Sequence, residues 1–179
     1  MKYLAGTINH GIVYDPGDGE WTLWGSSDAD LAGDLTTARS TIAYASFLGN
    51  VGCISSSSIL ERKICNSTGM SETFAHQGLA KQICWERHLL HELGFEQKQP
   101  TKALTDNEGV QKQSTKAINH TGAKHYRISQ AMIRQLNTDK VIDTDRVPTD
   151  LNCTDMLTKP LPTAAFERHK LRMMGPQDK

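Results

Sequence analysis

Twenty Asp and Glu residues are spread along the 179-residue chain, and four of them, Asp28, Glu72, Asp106 and Asp155, stand where a fold can bring their oxygens together. Carboxylate oxygens are hard donors, and several converging on one point suit Mg²⁺, which prefers carboxylate and water oxygen. Two such ions about 4 Å apart can activate an attacking water and neutralise the leaving oxygen in phosphodiester hydrolysis. On spacing alone, solvated charges and helix caps explain any four of twenty acids equally well, and that alternative stays open here. Zinc is not assigned, because His120, His125 and Cys153 lack a fourth ligand at characteristic spacing.

The elements around the four acids decide whether they can meet. Asp15-Pro16-Gly17-Asp18-Gly19 is a turn cluster, and Trp21 to Asp28 after it is rich in strand formers that end in small polar residues. This places Asp28 at a strand's mouth. Asp30 would share its face only if the strand continued, and Gly33 argues for a turn instead. Thr41 to Leu48 and Val51 to Ser56 are two further strands, joined at Gly49-Asn50, giving three antiparallel strands. From Met70 to Leu93 the apolar residues fall at helical spacing, with Gly94 as the stop, so Glu72 lies in the first turn of a long helix.

Lys102 to Asp106 suits a strand added in parallel after a crossover, again with an acid at its end. Asn107 to Ser114 and His125 to Leu136 read as helices and Val141 to Val147 as a last strand. Thr149 is expected to cap a final helix through Asp155 that Pro160 terminates. Strand ends and helix starts can meet at one rim of a sheet. The three tryptophans, Trp21, Trp24 and Trp85, are expected in the core.

Composition narrows the class without choosing a function. A hydrophobic share of 37% and a charged share of 22% suit one folded domain rather than a disordered chain. Equal numbers of basic and acidic residues, 20 each, give no general attraction to nucleic acid or to an acidic membrane, so any such partner needs a local patch. Lys102, Lys112, Lys116, Lys124, Arg127 and Arg134 could follow a phosphate backbone, and solvated helix faces explain them as well. Cys53, Cys65, Cys84 and Cys153 show no paired motif and read as reduced thiols of an intracellular, not secreted protein, with the choice between a cytoplasmic particle and the nucleus left open. No apolar run reaches the roughly 20 residues a membrane helix needs.

The segments around the acids carry a more specific signal. Ser27-Asp28-Ala29-Asp30 with Ala32-Gly33-Asp34, Ser71-Glu72 with Ala75, Thr105-Asp106-Asn107, and Asp155-Met156-Leu157-Thr158-Lys159-Pro160-Leu161-Pro162 occur in that order. Together with Lys124-His125 and Val147-Pro148-Thr149, they resemble the ribonuclease H domain of copia-type long-terminal-repeat retrotransposon Pol polyproteins over nearly the whole chain. Leu31, Gly69-Met70-Ser71, Thr73, Arg127, Ser129, Ala131 and Thr154 depart from that family's usual residues, and none of them replaces a ligand candidate.

The resemblance implies an α/β RNase H-like fold: a mixed central sheet of about five strands, three antiparallel and then parallel additions, flanked by helices. It implies two Mg²⁺ ions, with Mn²⁺ as a substitute, held by Asp28, Glu72, Asp106 and Asp155, and endonucleolytic cutting of the RNA strand of an RNA/DNA hybrid. No small-molecule cofactor and no membrane partner are expected. Nucleic-acid contacts are expected from Ser27, Asn66, Ser67, Thr68, Asn107, Lys124, His125 and Arg134. Residues 1–18 then read as the connection from a reverse transcriptase domain of the same polyprotein, 19–162 as the nuclease domain and 163–179 as a C-terminal tail. The competing expectations are a catalytically silent relic that only binds hybrid or serves as a spacer, and an integrase-like nuclease with three essential acids.

Overall fold

The computed structural model describes residues 5–14, 21–116 and 124–175. β1 (Leu23–Asp34), β2 (Arg39–Leu48) and β3 (Cys53–Leu60) form an antiparallel meander. The long helix α1 (Thr68–Glu92) then crosses over to β4 (Thr101–Thr105), which pairs in parallel with β1. α2 (Glu108–Thr115) and α3 (Lys124–Thr138) lead to β5 (Ile142–Arg146), parallel to β4. The sheet order is β3-β2-β1-β4-β5, the mixed five-stranded arrangement expected. A 3₁₀ turn (Thr149–Leu151), the short α4 (Asp155–Thr158) and α5 (Thr163–Met174) complete the chain.

Residue alternation along β1 sorts the two faces of the sheet. Leu23, Gly25 and Ser27 face α1, where Leu23 packs with Leu79, Ile83, Ala103, Ile133 and Ile142 in one apolar cluster. Trp24, Ser26 and Asp28 face the other side, towards Arg172, Cys153 and Thr158 in turn. There, Ala45, Phe47, Cys53, Cys153 and Met173 form a second core, with Trp24 stacked on Phe47 at 4.3 Å between ring centroids. The turn from α1 into β4 is held by Arg87, whose guanidinium donates to Gln97 O, Gln99 O and Thr101 Oγ1.

Four expectations are corrected. β1 does not end at Asp28 but runs on to Asp34, with an irregular register between Asp30 and Asp34 and Ala32 at positive φ. Asp30 and Asp28 therefore lie on one strand, yet Asp30 folds its carboxylate back against Gly33. Thr149 does not cap a continuous helix: the chain breaks at Asn152, whose side chain bonds to Ser27 O and Thr154, and α4 starts afresh at Asp155. Residues 163–174, read as tail, are α5, which covers the second core.

Trp21 and Trp85, finally, are largely exposed rather than buried. Within the segment read as a connection, Val13 donates to Met174 O and accepts from Gly52 N, so this stretch leans on the end of α5. No helix among the described residues is long and apolar enough to cross a membrane.

Candidate active site

The ladder between β1 and β4 stops at Ser27 and Thr105, and the next residue of each chain segment is an acid or leads to one. Asp28 stays within β1, supported by β2 alone, and is 2% exposed. Asp106 follows the end of β4, half-buried, where Asn107 turns the chain by capping α2 through Val110 N at 3.1 Å. Glu72 arrives from α1, which Ser67 caps by accepting from Met70 N at 3.3 Å. These three carboxylates offer oxygens that all lie within 4.8 Å of one another.

Asp155 sits beside this group rather than within it. It opens α4, is 6% exposed, and its Oδ1 lies 2.9 Å from Lys159 Nζ one turn later. Thr158, between them in sequence, donates from Oγ1 to Asp28 Oδ2 and lies 3.1 Å from Asp155 O, so α4 is clasped to β1. Lys159 and Thr158 were quoted in the sequence only as part of the closing motif. Their roles become legible once the i, i+4 spacing of Asp155 and Lys159 is placed on a helix.

Burial sets the charge state of the group. Asp28 is pushed up to about 6, by loss of solvation first and by the fields of Asp155 and Asp106, against the Thr158 hydrogen bond and Lys159. Glu72 is pushed up to about 9 by burial and then by Asp28 and Asp106. Lys159 loses solvation too, but its contact with Asp155 and the fields of Asp28 and Asp106 outweigh this and raise it. Glu72 Oε2 is buried without a hydrogen-bond partner. An orphaned carboxylate oxygen, two further carboxylates within reach and only oxygen donors are a set that fits a hard divalent cation such as Mg²⁺.

No protein-family model matches the chain. It is 30% identical to the retrovirus-related Pol polyprotein from transposon TNT 1-94 of Nicotiana tabacum over 167 residues, which are 93% of this chain and 12% of the relative. The corresponding protein from transposon RE1 of Arabidopsis thaliana is 33% identical over 167 residues, 93% of this chain and 11% of the relative. The chain thus spans about a tenth of the length of these relatives. Among solved structures, LC11-RNase H1 in complex with RNA/DNA hybrid superposes with a TM-score of 0.57 at 12% identity, covering 76% of this chain and 94% of that one. RNase H1 of Halobacterium salinarum gives 0.54 at 17% identity over the same shares. The chain is homologous to retrovirus-related Pol polyproteins and has the fold of an RNase H domain.

Around the carboxylates of this RNase H-fold domain, the residues expected to touch nucleic acid are divided. Asn66, Ser67 and Thr68 are exposed at the start of α1, and Lys124 and His125 at the start of α3. His125 also lines a groove of about 350 Å³ with Lys63, Lys81, Gln77 and Phe74. Asn107 is half-buried with its side chain spent on the α2 cap. Ser27 is fully buried, and its hydroxyl faces His76 rather than solvent. Arg134 is half-buried, with its Nε enclosed and unpartnered.

Proposed function

We propose that this chain is a metal-dependent ribonuclease H that hydrolyses the RNA strand of RNA/DNA hybrids for a copia-type retrotransposon, alongside the reverse transcriptase of the same polyprotein. The observation that carries the reading is the meeting of Asp28, Glu72 and Asp106 within 4.8 Å at the sheet rim. The related fold of LC11-RNase H1, crystallised with an RNA/DNA hybrid, supports the choice of substrate.

Asp28, Glu72 and Asp106 would hold Mg²⁺, and Asp155 would complete the set by exchanging its Lys159 partner for a cation. Two such ions supply an activated water and charge neutralisation at the leaving oxygen. The chain's own contribution is position and dielectric. β1 and α1 fix the directions of Asp28 and Glu72, and burial makes each lost solvent contact a reason to accept a cation. Asn66, Ser67 and Thr68 at the start of α1, with Lys124 and His125 at the start of α3, offer exposed hydroxyl, amide and cationic groups to sugar and phosphate.

The test is cleavage of a labelled hybrid in Mg²⁺ or EDTA by the purified protein and by Asp106→Asn. Asp106 is the least enclosed of the three acids, so its amide variant should keep the fold, checked by circular dichroism, while cleavage is abolished. Near-normal cutting by this variant would refute the assignment. A folded wild type that binds hybrid but never cuts would mark the chain as a silent relic.

A further inference from the structure

His76 is fully buried on α1, one turn beyond Glu72, and no part of the chemistry above uses it. Its Nδ1 lies 2.9 Å from Ser27 Oγ and its Nε2 lies 3.1 Å from Thr144 Oγ1. Asn137 fixes the outer end of this chain of contacts. Its Oδ1 accepts from Thr144 N at 2.9 Å, and its Nδ2 donates to Thr144 Oγ1 at 3.0 Å.

One assignment of hydrogens uses every donor. Thr144 Oγ1 accepts from Asn137, so its own hydrogen goes to His76 Nε2. The imidazole then carries its hydrogen on Nδ1 and donates to Ser27 Oγ, whose hydrogen is left to reach Leu104 O at 3.4 Å. The opposite tautomer would leave the Thr144 hydrogen without an acceptor and turn the Ser27 hydroxyl away from Leu104. Burial, which pulls His76 down to about 4, agrees with a neutral ring.

This relay joins five elements in one line: α3, β5, α1, β1 and β4. At Ser27 it is met by Asn152 Nδ2, which donates to Ser27 O at 3.0 Å from the loop before α4. Each metal-ligand candidate stands next to a member of the network. Ser27 precedes Asp28, His76 follows Glu72 by one turn, Leu104 is two residues before Asp106, and Asn152 is three before Asp155. Apolar packing is non-directional, whereas directional bonds between buried groups add a penalty to each displacement of the helix on the sheet.

We propose that His76, in its Nδ1–H tautomer, is a positioning residue that locks α1 on β1 in the one register where the Glu72 and Asp28 carboxylates converge. The role rests on reading those carboxylates as a cation site. Unsupported, the two buried acids and the half-buried Asp106 would relax apart, and this clamp holds them without adding a competing charge.

Two measurements on the full chain test the idea. Nitrogen-15 spectra of the His76 ring should show hydrogen on Nδ1 and none on Nε2, unchanged between about pH 5 and 8. Hydrogen on Nε2, or titration within that range, overturns the proposal. In the second, free Mn²⁺ is followed by electron paramagnetic resonance. His76→Leu, folded by circular dichroism, should bind Mn²⁺ about 10-fold or more weakly. His76→Asn, which keeps an amide donor near the Nδ1 position, should recover most of that loss.

Unchanged Mn²⁺ affinity in folded His76→Leu, or equal loss in both variants, also overturns it. If His76→Leu does not fold, the Asn variant and the ring spectrum still decide. A wild type that binds Mn²⁺ with this pattern yet cuts no hybrid removes the nuclease reading and leaves the positioning role standing; one that binds no Mn²⁺ removes both.

Discussion

Glu72 keeps its proton to about pH 9 in the fold and only to about 4.5 in an unfolded chain, while Asp28 does so to about 6 against 3.8. Both folded values are raised, so the native state binds more protons than the unfolded one, and stability present at acid pH is lost as pH rises through these windows. The metal-free protein in EDTA should therefore melt highest at mildly acid pH. Its Tm should fall between about 4 and 9, with the Asp28 share gone above about 6. Saturating Mg²⁺ should reverse the fall at the alkaline end, because a cation takes the place of the protons. Glu72→Gln, neutral at every pH, should flatten the metal-free profile and lose the Mg²⁺ effect. Calorimetry across the pH range checks all three, and an unchanged slope in the Gln variant would show that Glu72 is not the group responsible. The identity of these acids was legible in the motifs around them. Their charge state was not, because it depends on burial that spacing does not encode.

At the scale of elements, α1 can approach β1 closely because Gly25 has no side chain. A Cβ there would stand 2.5 Å from Leu79 Cδ1 and 2.8 Å from Ala45 O, and backbone on the β2 side cannot yield as a side chain can. Gly25→Ala is expected to lower stability by about 1–3 kcal/mol in urea denaturation and to weaken cation binding through the displaced helix. Equal stability would mean that the helix shifts freely. The elements themselves were mostly readable: the 25-residue α1 buries Ala75, Leu79, Ala80, Ile83 and Leu90 at helical spacing, and Gly94, at φ +85, stops the helix as its type suggests. β1 was cut short because Ala32-Gly33 looks like a turn, whereas the strand absorbs it as an irregularity. α5 escaped because it lies behind Pro160 and Pro162 and half of its residues are polar, with only His169 and Met173 buried. His76 escaped for a different reason: on the inner face of a helix it occupies a slot that periodicity assigns to any core residue.

Across the whole molecule, the two cores divide the labour. The α1 side is made by the crossover helix, and the other side depends on α5 to cover Trp24, Phe47 and Cys153, with Arg172 4.4 Å from the Trp24 ring centroid. Truncation after Pro162 should expose that face, and the expected result is loss of cooperative unfolding together with binding of a hydrophobic dye such as ANS. A truncated chain that melts as sharply as the full one would show that α5 is an ornament.

The parallel β1–β4 ladder has a temporal consequence as well. It unites residues 78 positions apart, Ser27 and Thr105 among them, and such a pairing must wait until a long intervening loop has closed. Refolding should accordingly be slower than that of a helical bundle of equal length. Asp155 and Thr158 of α4 follow this ladder in the chain, so during synthesis the acidic cluster gains its last members only after the sheet's strands have all been made.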